Sequence, residues 1–178
     1  MKKKWHMFVF ALVVILAILS WLIAFYYWGK LPQVIPTHFG LNGTANAWGH
    51  KSVWNSFMIP IIQSILLVGF IFLYIKPQYS DLPTTLLLMS LPEEKREYAF
   101  KLIRTMLVMV LLFTGLIFTY ITYMMNAAAL GKNVGFNPWG MTIILVLMFG
   151  WLIWWTIKVY RATRNLLAEN NLKSLPKG

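Results

Sequence analysis

Met7–Trp28, MFVFALVVILAILSWLIAFYYW, contains no charge, and Ser20 is its one polar side chain outside the aromatic end. About 20 such residues in a helix cross the ~30 Å hydrocarbon core of a bilayer. No water is available there to satisfy the backbone amides, so the chain must take a helical form. The basic start, MKKK, looks like the front of a signal peptide. However, the apolar region exceeds the usual ~7–15 residues and ends in FYYW, where a cleavage site would need small side chains. The run therefore reads as an uncleaved first span, with Tyr26, Tyr27 and Trp28 at the far interface.

Working outward, the rest of the chain has the same character. Of 178 residues, 59% are hydrophobic and only 12% charged, with a mean hydropathy of +0.64. A soluble domain of this length cannot bury that much apolar surface. Further apolar runs follow at Val53–Ile75, Met106–Met125 and Trp139–Tyr160. The expected fold is an all-α integral membrane protein with four transmembrane helices. Residues 1–75 form a first module: TM1 at about 7–28, a structured outer loop at 29–52, and TM2 at about 53–75. A cytoplasmic loop, 76–105, carries an amphipathic lead-in helix into a TM3–TM4 hairpin at 106–160, and 161–178 form a basic cytoplasmic tail. Ser90 and Glu93 read as a capping box for the lead-in helix, and Glu97 and Lys101 as an i,i+4 pair. The apolar patch Leu86–Leu91 is too short to span and is expected on the membrane surface. Trp139 and Tyr160 read as belt residues at opposite interfaces.

Charge sets the expected orientation. Sixteen Lys and Arg against five Asp and Glu give +11. Thirteen of the cations flank the ends of the spans that share a side with the N-terminus, and three (Lys30, Lys51, Lys132) lie on the other side. By the positive-inside rule both termini are cytoplasmic and the 29–52 loop faces outward. All five acids fall on the cytoplasmic side by the same count, so the outer face carries none. Cations beside apolar spans fit anionic lipid at the cytoplasmic face and not nucleic acid, which needs a basic face on a soluble domain. The chain contains no Cys, so disulfides, thiolate metal sites and cysteine nucleophiles are excluded.

The loop Leu31–Lys51, LPQVIPTHFGLNGTANAWGHK, is where chemistry concentrates. Pro32 and Pro36 bias their preceding residues toward extended backbone, and Asn42-Gly43 is a strong turn signal. His38 and His50 are the loop's titratable groups near neutral pH. With no Cys, Asp or Glu on the same side they are weak metal candidates, since zinc takes three or four ligands. His38 is also suited to an internal hydrogen bond, or with Lys51 to offering donors to an anionic ligand. Trp48 and Trp54 suit interfacial anchoring. The candidate ligand-binding set is Pro36, His38, Phe39, Gly43, Trp48, Gly49 and Lys51. Within the membrane, Pro60 should kink the second span, and Gln63 and Ser64 are mid-membrane polar groups suited to interhelical bonding. Thr114, Gly115, Thr119 and Thr122 offer a small-residue face on the third span. No P-loop, HExxH or GxSxG pattern occurs, and no catalytic residue or cofactor is indicated.

Pro32, Ile35-Pro36-Thr37-His38-Phe39, Gly43 and Trp48-Gly49-His50-Lys51, placed directly after a first span, resemble the N-terminal domain of unknown function in SdpI-like bacterial membrane proteins. The resemblance covers roughly Trp21–Ile75; many relatives carry an acid near the position of Asn46. It implies a multi-pass protein of the bacterial plasma (inner) membrane, with toxin immunity or signalling as the associated role. The expected function is accordingly non-enzymatic: an outer loop that recognises an exported peptide or envelope component. A transporter or transporter subunit is the alternative, and a metal-dependent membrane enzyme ranks third. The expected partners are the lipid bilayer, a peptide toxin or cytoplasmic regulator, and a further copy of the chain in a homo-oligomer.

Overall fold

The computed structural model describes residues 3–40, 44–80, 88–89, 91–132 and 138–173. In order along the chain come α1 (Lys3–Trp28), β1 (Val34–Phe39), β2 (Ala45–His50), α2 (Val53–Ile75), a 3-10 turn (Pro77–Tyr79), α3 (Glu93–Ala129) and α4 (Pro138–Lys173). Four of these helices are long and apolar enough to cross a membrane, which makes this a multi-pass membrane protein. The all-α expectation needs one correction, because the loop between α1 and α2 contains a two-stranded antiparallel sheet.

The helices alternate in direction. His6 near the start of α1 meets Tyr74 at the end of α2 and Thr105 near the start of α3. Trp155 on α4 reaches back to Leu102 on α3. The N-terminal end of α1 and the C-terminal end of α4 are therefore at one end of the bundle, and the sheet is at the other. α3 is the central element, packing on α1, α2 and α4, whereas α4 leans chiefly on α3. This follows from the side chains. α3 presents buried residues on several faces, including Phe100, Ile103, Val108, Leu111, Thr119 and Thr122. On α4, Ile143, Val146, Leu147, Phe149 and Ile153 stay exposed, as lipid-facing residues should.

The helices overrun the limits expected from hydropathy. α1 begins at Lys3, α3 continues through Ala129, and α4 does not stop at Tyr160 but carries the basic segment on to Lys173. Hydropathy marks where lipid begins, whereas helical hydrogen bonding continues until a cap or breaker intervenes. Three local readings are corrected. α3 starts at Glu93 with Pro92 at its N-cap and no side-chain cap bond there, while Ser90 lies outside the described residues. Glu97 pairs with Arg104 at 3.2 Å and not with Lys101. Of the patch expected on the membrane surface, Leu88 and Leu91 are buried against Phe100, Ile103, Trp155 and Val159. Two or three apolar side chains of a short segment can fill a gap between two helices, and hydropathy cannot tell that from surface lying.

Candidate functional site

The hairpin between α1 and α2 is built from its breakers. Register runs from Val34 opposite His50, through Ile35–Gly49 and Pro36–Trp48, to Phe39 opposite Ala45, with irregularities on both sides of His38. These irregularities let His38 and Asn46 meet, and His38 Nδ1 donates to Asn46 Oδ1. Gly40 N donates to Thr44 O (2.9 Å) toward the turn, and Lys51 N donates to Gln33 O (2.7 Å) at the open end. Asn42 and Gly43 lie outside the described residues.

The hairpin is fixed firmly to the bundle. Ile35 and Pro36 are buried and line a crevice shared with Asn55, Ser56 and Ile59 of α2 and Met125, Asn126 and Ala129 of α3. Asn55 Nδ2 donates to His50 O at 2.8 Å, and Ser52 caps α2 by accepting from Asn55 N at 3.1 Å. Gly49 is required by close approach: a Cβ there would stand 2.9 Å from Thr37 Cγ2 and 3.2 Å from Asn55 Nδ2. Lys51 Nζ donates to Leu31 O (3.3 Å) and sits 4.6 Å from the centroid of the Trp28 ring. Lys30 lies over Tyr26. Each lysine thus rests its charge on an aromatic face, on a side of the bundle whose loops supply no carboxylate in the first 80 residues.

The candidate residues divide into two groups. His38 and Trp48 are exposed on the hairpin surface, with His50 at its end. Pro36 is buried, Gly49 is packed against Thr37, and Lys51 is half-buried against Trp28 and Leu31, so these three hold the hairpin and do not line its outer surface. Phe39 is half-buried on β1. His38 and His50 do not converge. His38 pairs in the ladder with Ala47 while His50 pairs with Val34 at the far end. Among the described residues, no three His, Cys, Asp or Glu side chains come together as a metal would need.

The polar groups within the spans form a seam linking α1, α2 and α3. Gln63 Nε2 donates to Gly115 O (3.4 Å) and Thr119 Oγ1 (3.3 Å). Thr119 Oγ1 lies within reach of both Leu16 O and Gly115 O. Ser20 and Thr122 hydroxyls are 2.9 Å apart, and Asn126 Nδ2 donates to Thr122 O. Ser64 Oγ accepts from Trp21 Nε1 (3.0 Å) and donates to Pro60 O (2.8 Å). In hydrocarbon these bonds hold helices together. Gly115 lets α1 approach, since a Cβ there would stand 3.4 Å from Leu16 Cδ1.

Sequence reasoning misses His6. It lies before the uncharged run, in what reads as a basic flank, yet it is buried inside α1. Its Nε2 is 3.1 Å from Thr105 Oγ1 and its Nδ1 is 3.0 Å from Tyr74 Oη. Thr105 Oγ1 also lies 3.0 Å from Lys101 O. His6 thus bridges α2 and α3 through its two ring nitrogens, one donating and the other accepting in the neutral imidazole. The signal that could have found it is spacing: His6, Val9 and Val13 share one helical face, and both valines are buried.

Residues 15–63 match the family model of a domain of unknown function, DUF1648. The match runs from the middle of α1 through the hairpin to Gln63 on α2, so the DUF1648 segment contains the whole hairpin and half of the polar seam. α3, which supplies the other half, and α4 lie outside it. No curated protein and no solved structure matches the chain.

Proposed function

We propose that this is a non-enzymatic protein of the bacterial plasma membrane, with both termini cytoplasmic, whose hairpin recognises an exported peptide or envelope component on the outer face. The observation that carries the reading is the contrast between the two polar regions. Within the spans, Gln63, Ser64, Thr119 and Thr122 are engaged in helix–helix bonds, which favours a structural seam over a transport path. On the hairpin, His38 and Trp48 are exposed on a support held by Pro36, Gly49, Asn55 and Lys51. A rigid support loses little entropy on binding, and an exposed aromatic beside polar groups is the usual anchor of a recognition surface. The 13-to-3 distribution of cations supports the outward placement. The matched domain is itself of unknown function; it is the resemblance of the loop motif to SdpI-like proteins that makes immunity to an exported peptide toxin the role proposed.

The test is protection. A strain lacking the gene is complemented with the wild type, His38→Ala or Trp48→Ala and challenged with exported peptide toxins. Loss of protection in both variants at unchanged membrane abundance is the expected result. Wild-type complementation that gives no protection, or full protection by both variants, refutes the reading.

A further inference from the structure

A second surface, apart from the hairpin's exposed face, has the chemistry of a ligand site. Between α1 and α2, on the hairpin side of the bundle, Trp21, Phe25, Trp28, Val53, Phe57 and Ile61 line an open apolar groove of about 280 Å³. Its walls are held in place. Trp21 stacks on Phe25 and on Phe57, and Phe57 contacts Phe25 at 5.0 Å and Trp28 at 5.3 Å between ring centroids. The Trp21 indole is also fixed by its bond to Ser64. From Trp21 to Trp28 the helix rises ~10 Å, about two-thirds of the ~15 Å hydrocarbon depth of one leaflet. The groove is therefore long enough for much of one acyl chain, and it ends at Trp28.

At that end stands Lys51, its ammonium over the Trp28 ring. One of its three N–H donors goes to the Leu31 carbonyl. No Asp or Glu occurs anywhere in the first 80 residues, and the five acids of the chain are Asp81, Glu93, Glu94, Glu97 and Glu169. Of these, Glu97 and Glu169 are paired with Arg104 and Lys95 at the opposite end of the bundle. Lys51 thus has no carboxylate partner on α1, the hairpin or α2. A cation held at the mouth of an aromatic groove that opens toward lipid is complementary to a molecule with an anionic head and an apolar tail.

We propose that this groove binds one anionic phospholipid of the leaflet on the hairpin side, with an acyl chain along Trp21–Trp28 and the phosphate on Lys51. The lipid joins α1, α2 and the foot of the hairpin, and so steadies the hairpin from below. Native mass spectrometry of the full-length protein, with phosphatidylglycerol or phosphatidylcholine of identical chains added in turn, tests this. The expected result is one tightly held phosphatidylglycerol, retained about tenfold better than phosphatidylcholine, the factor that ~1.4 kcal/mol of charge-assisted contact would give. Lys51→Gln should remove that preference and Lys51→Arg should keep it. Ile61→Trp, which fills the groove, should reduce retention of both lipids, and Lys132→Gln should change nothing. Equal retention of the two lipids by the wild type overturns the proposal, as does an undiminished phosphatidylglycerol adduct in both Lys51→Gln and Ile61→Trp. If Lys51→Gln does not fold, the wild-type preference and Ile61→Trp decide the matter.

Discussion

Replacing His6 by Leu should loosen the end of the bundle where α1, α2 and α3 meet. The side chain keeps roughly the right volume and apolar contact, so the change isolates the two hydrogen bonds to Tyr74 and Thr105. Thr105 retains its bond to Lys101 O, so its loss is small. Tyr74 Oη loses its partner in a half-buried position. Interhelical bonds in membrane proteins average ~0.6 kcal/mol and reach ~1.7 kcal/mol. Two of them, one leaving a stranded hydroxyl, give an expected loss of ~1–3 kcal/mol. The assay is reversible unfolding in mixed micelles, read by circular dichroism, with Tyr74→Phe and His6→Leu/Tyr74→Phe completing a cycle. Because Tyr74→Phe removes the group that His6→Leu strands, the double variant should be less destabilised than the sum of the singles by ~0.5–1.5 kcal/mol. Strict additivity, or a single-variant effect below ~0.3 kcal/mol, refutes the three-helix junction that His6 ties together.

Three further outcomes follow from the packing. Gly49→Ala forces its Cβ against the stiff Thr37 side chain, so it should cost ~1–3 kcal/mol and raise hydrogen exchange in the hairpin amides while sparing α3. Gln63→Leu should fall within ~1 kcal/mol of wild type in the same unfolding assay, because its two bonds are long (3.3 and 3.4 Å) and Thr119 keeps other partners. A drop above ~3 kcal/mol would show that the seam depends on this amide. Trp155→Phe removes a short bond to Leu102 O (2.8 Å) in the interface that holds α4. It should cost ~1–3 kcal/mol and increase proteolysis of α4 before the other helices.

The sequence reveals the four spans readily because a hydrocarbon solvent leaves few alternatives to a helix: α2 is found at Val53–Ile75, the same limits that hydropathy marks. It is less informative where one residue type serves two purposes. Pro32 and Pro36 indicate extended backbone, but a β-ladder between Val34–Phe39 and Ala45–His50 requires the cross-strand register, which is a long-range fact. Among the candidate residues, Pro36 and Gly49 belong to the motif because they fit the hairpin to α2 and α3, and residue identity does not separate that role from contact with a ligand. His6 is hidden by its basic neighbours, and Leu88 and Leu91 by the brevity of their segment. The partners of His6 lie on α2 and α3, and the cluster that takes Leu88 and Leu91 is completed by Trp155 and Val159 of α4.

If the hairpin is an outward recognition surface, a photo-crosslinking amino acid placed at Trp48 in living cells and irradiated with exported peptides present should capture its ligand. One adduct of peptide mass is expected, competed by the same peptide in unlabelled form and absent when the crosslinker replaces Ile153 on the lipid-facing side of α4. Adducts at position 48 with cytoplasmic proteins, or none with any exported peptide or envelope component, would contradict it.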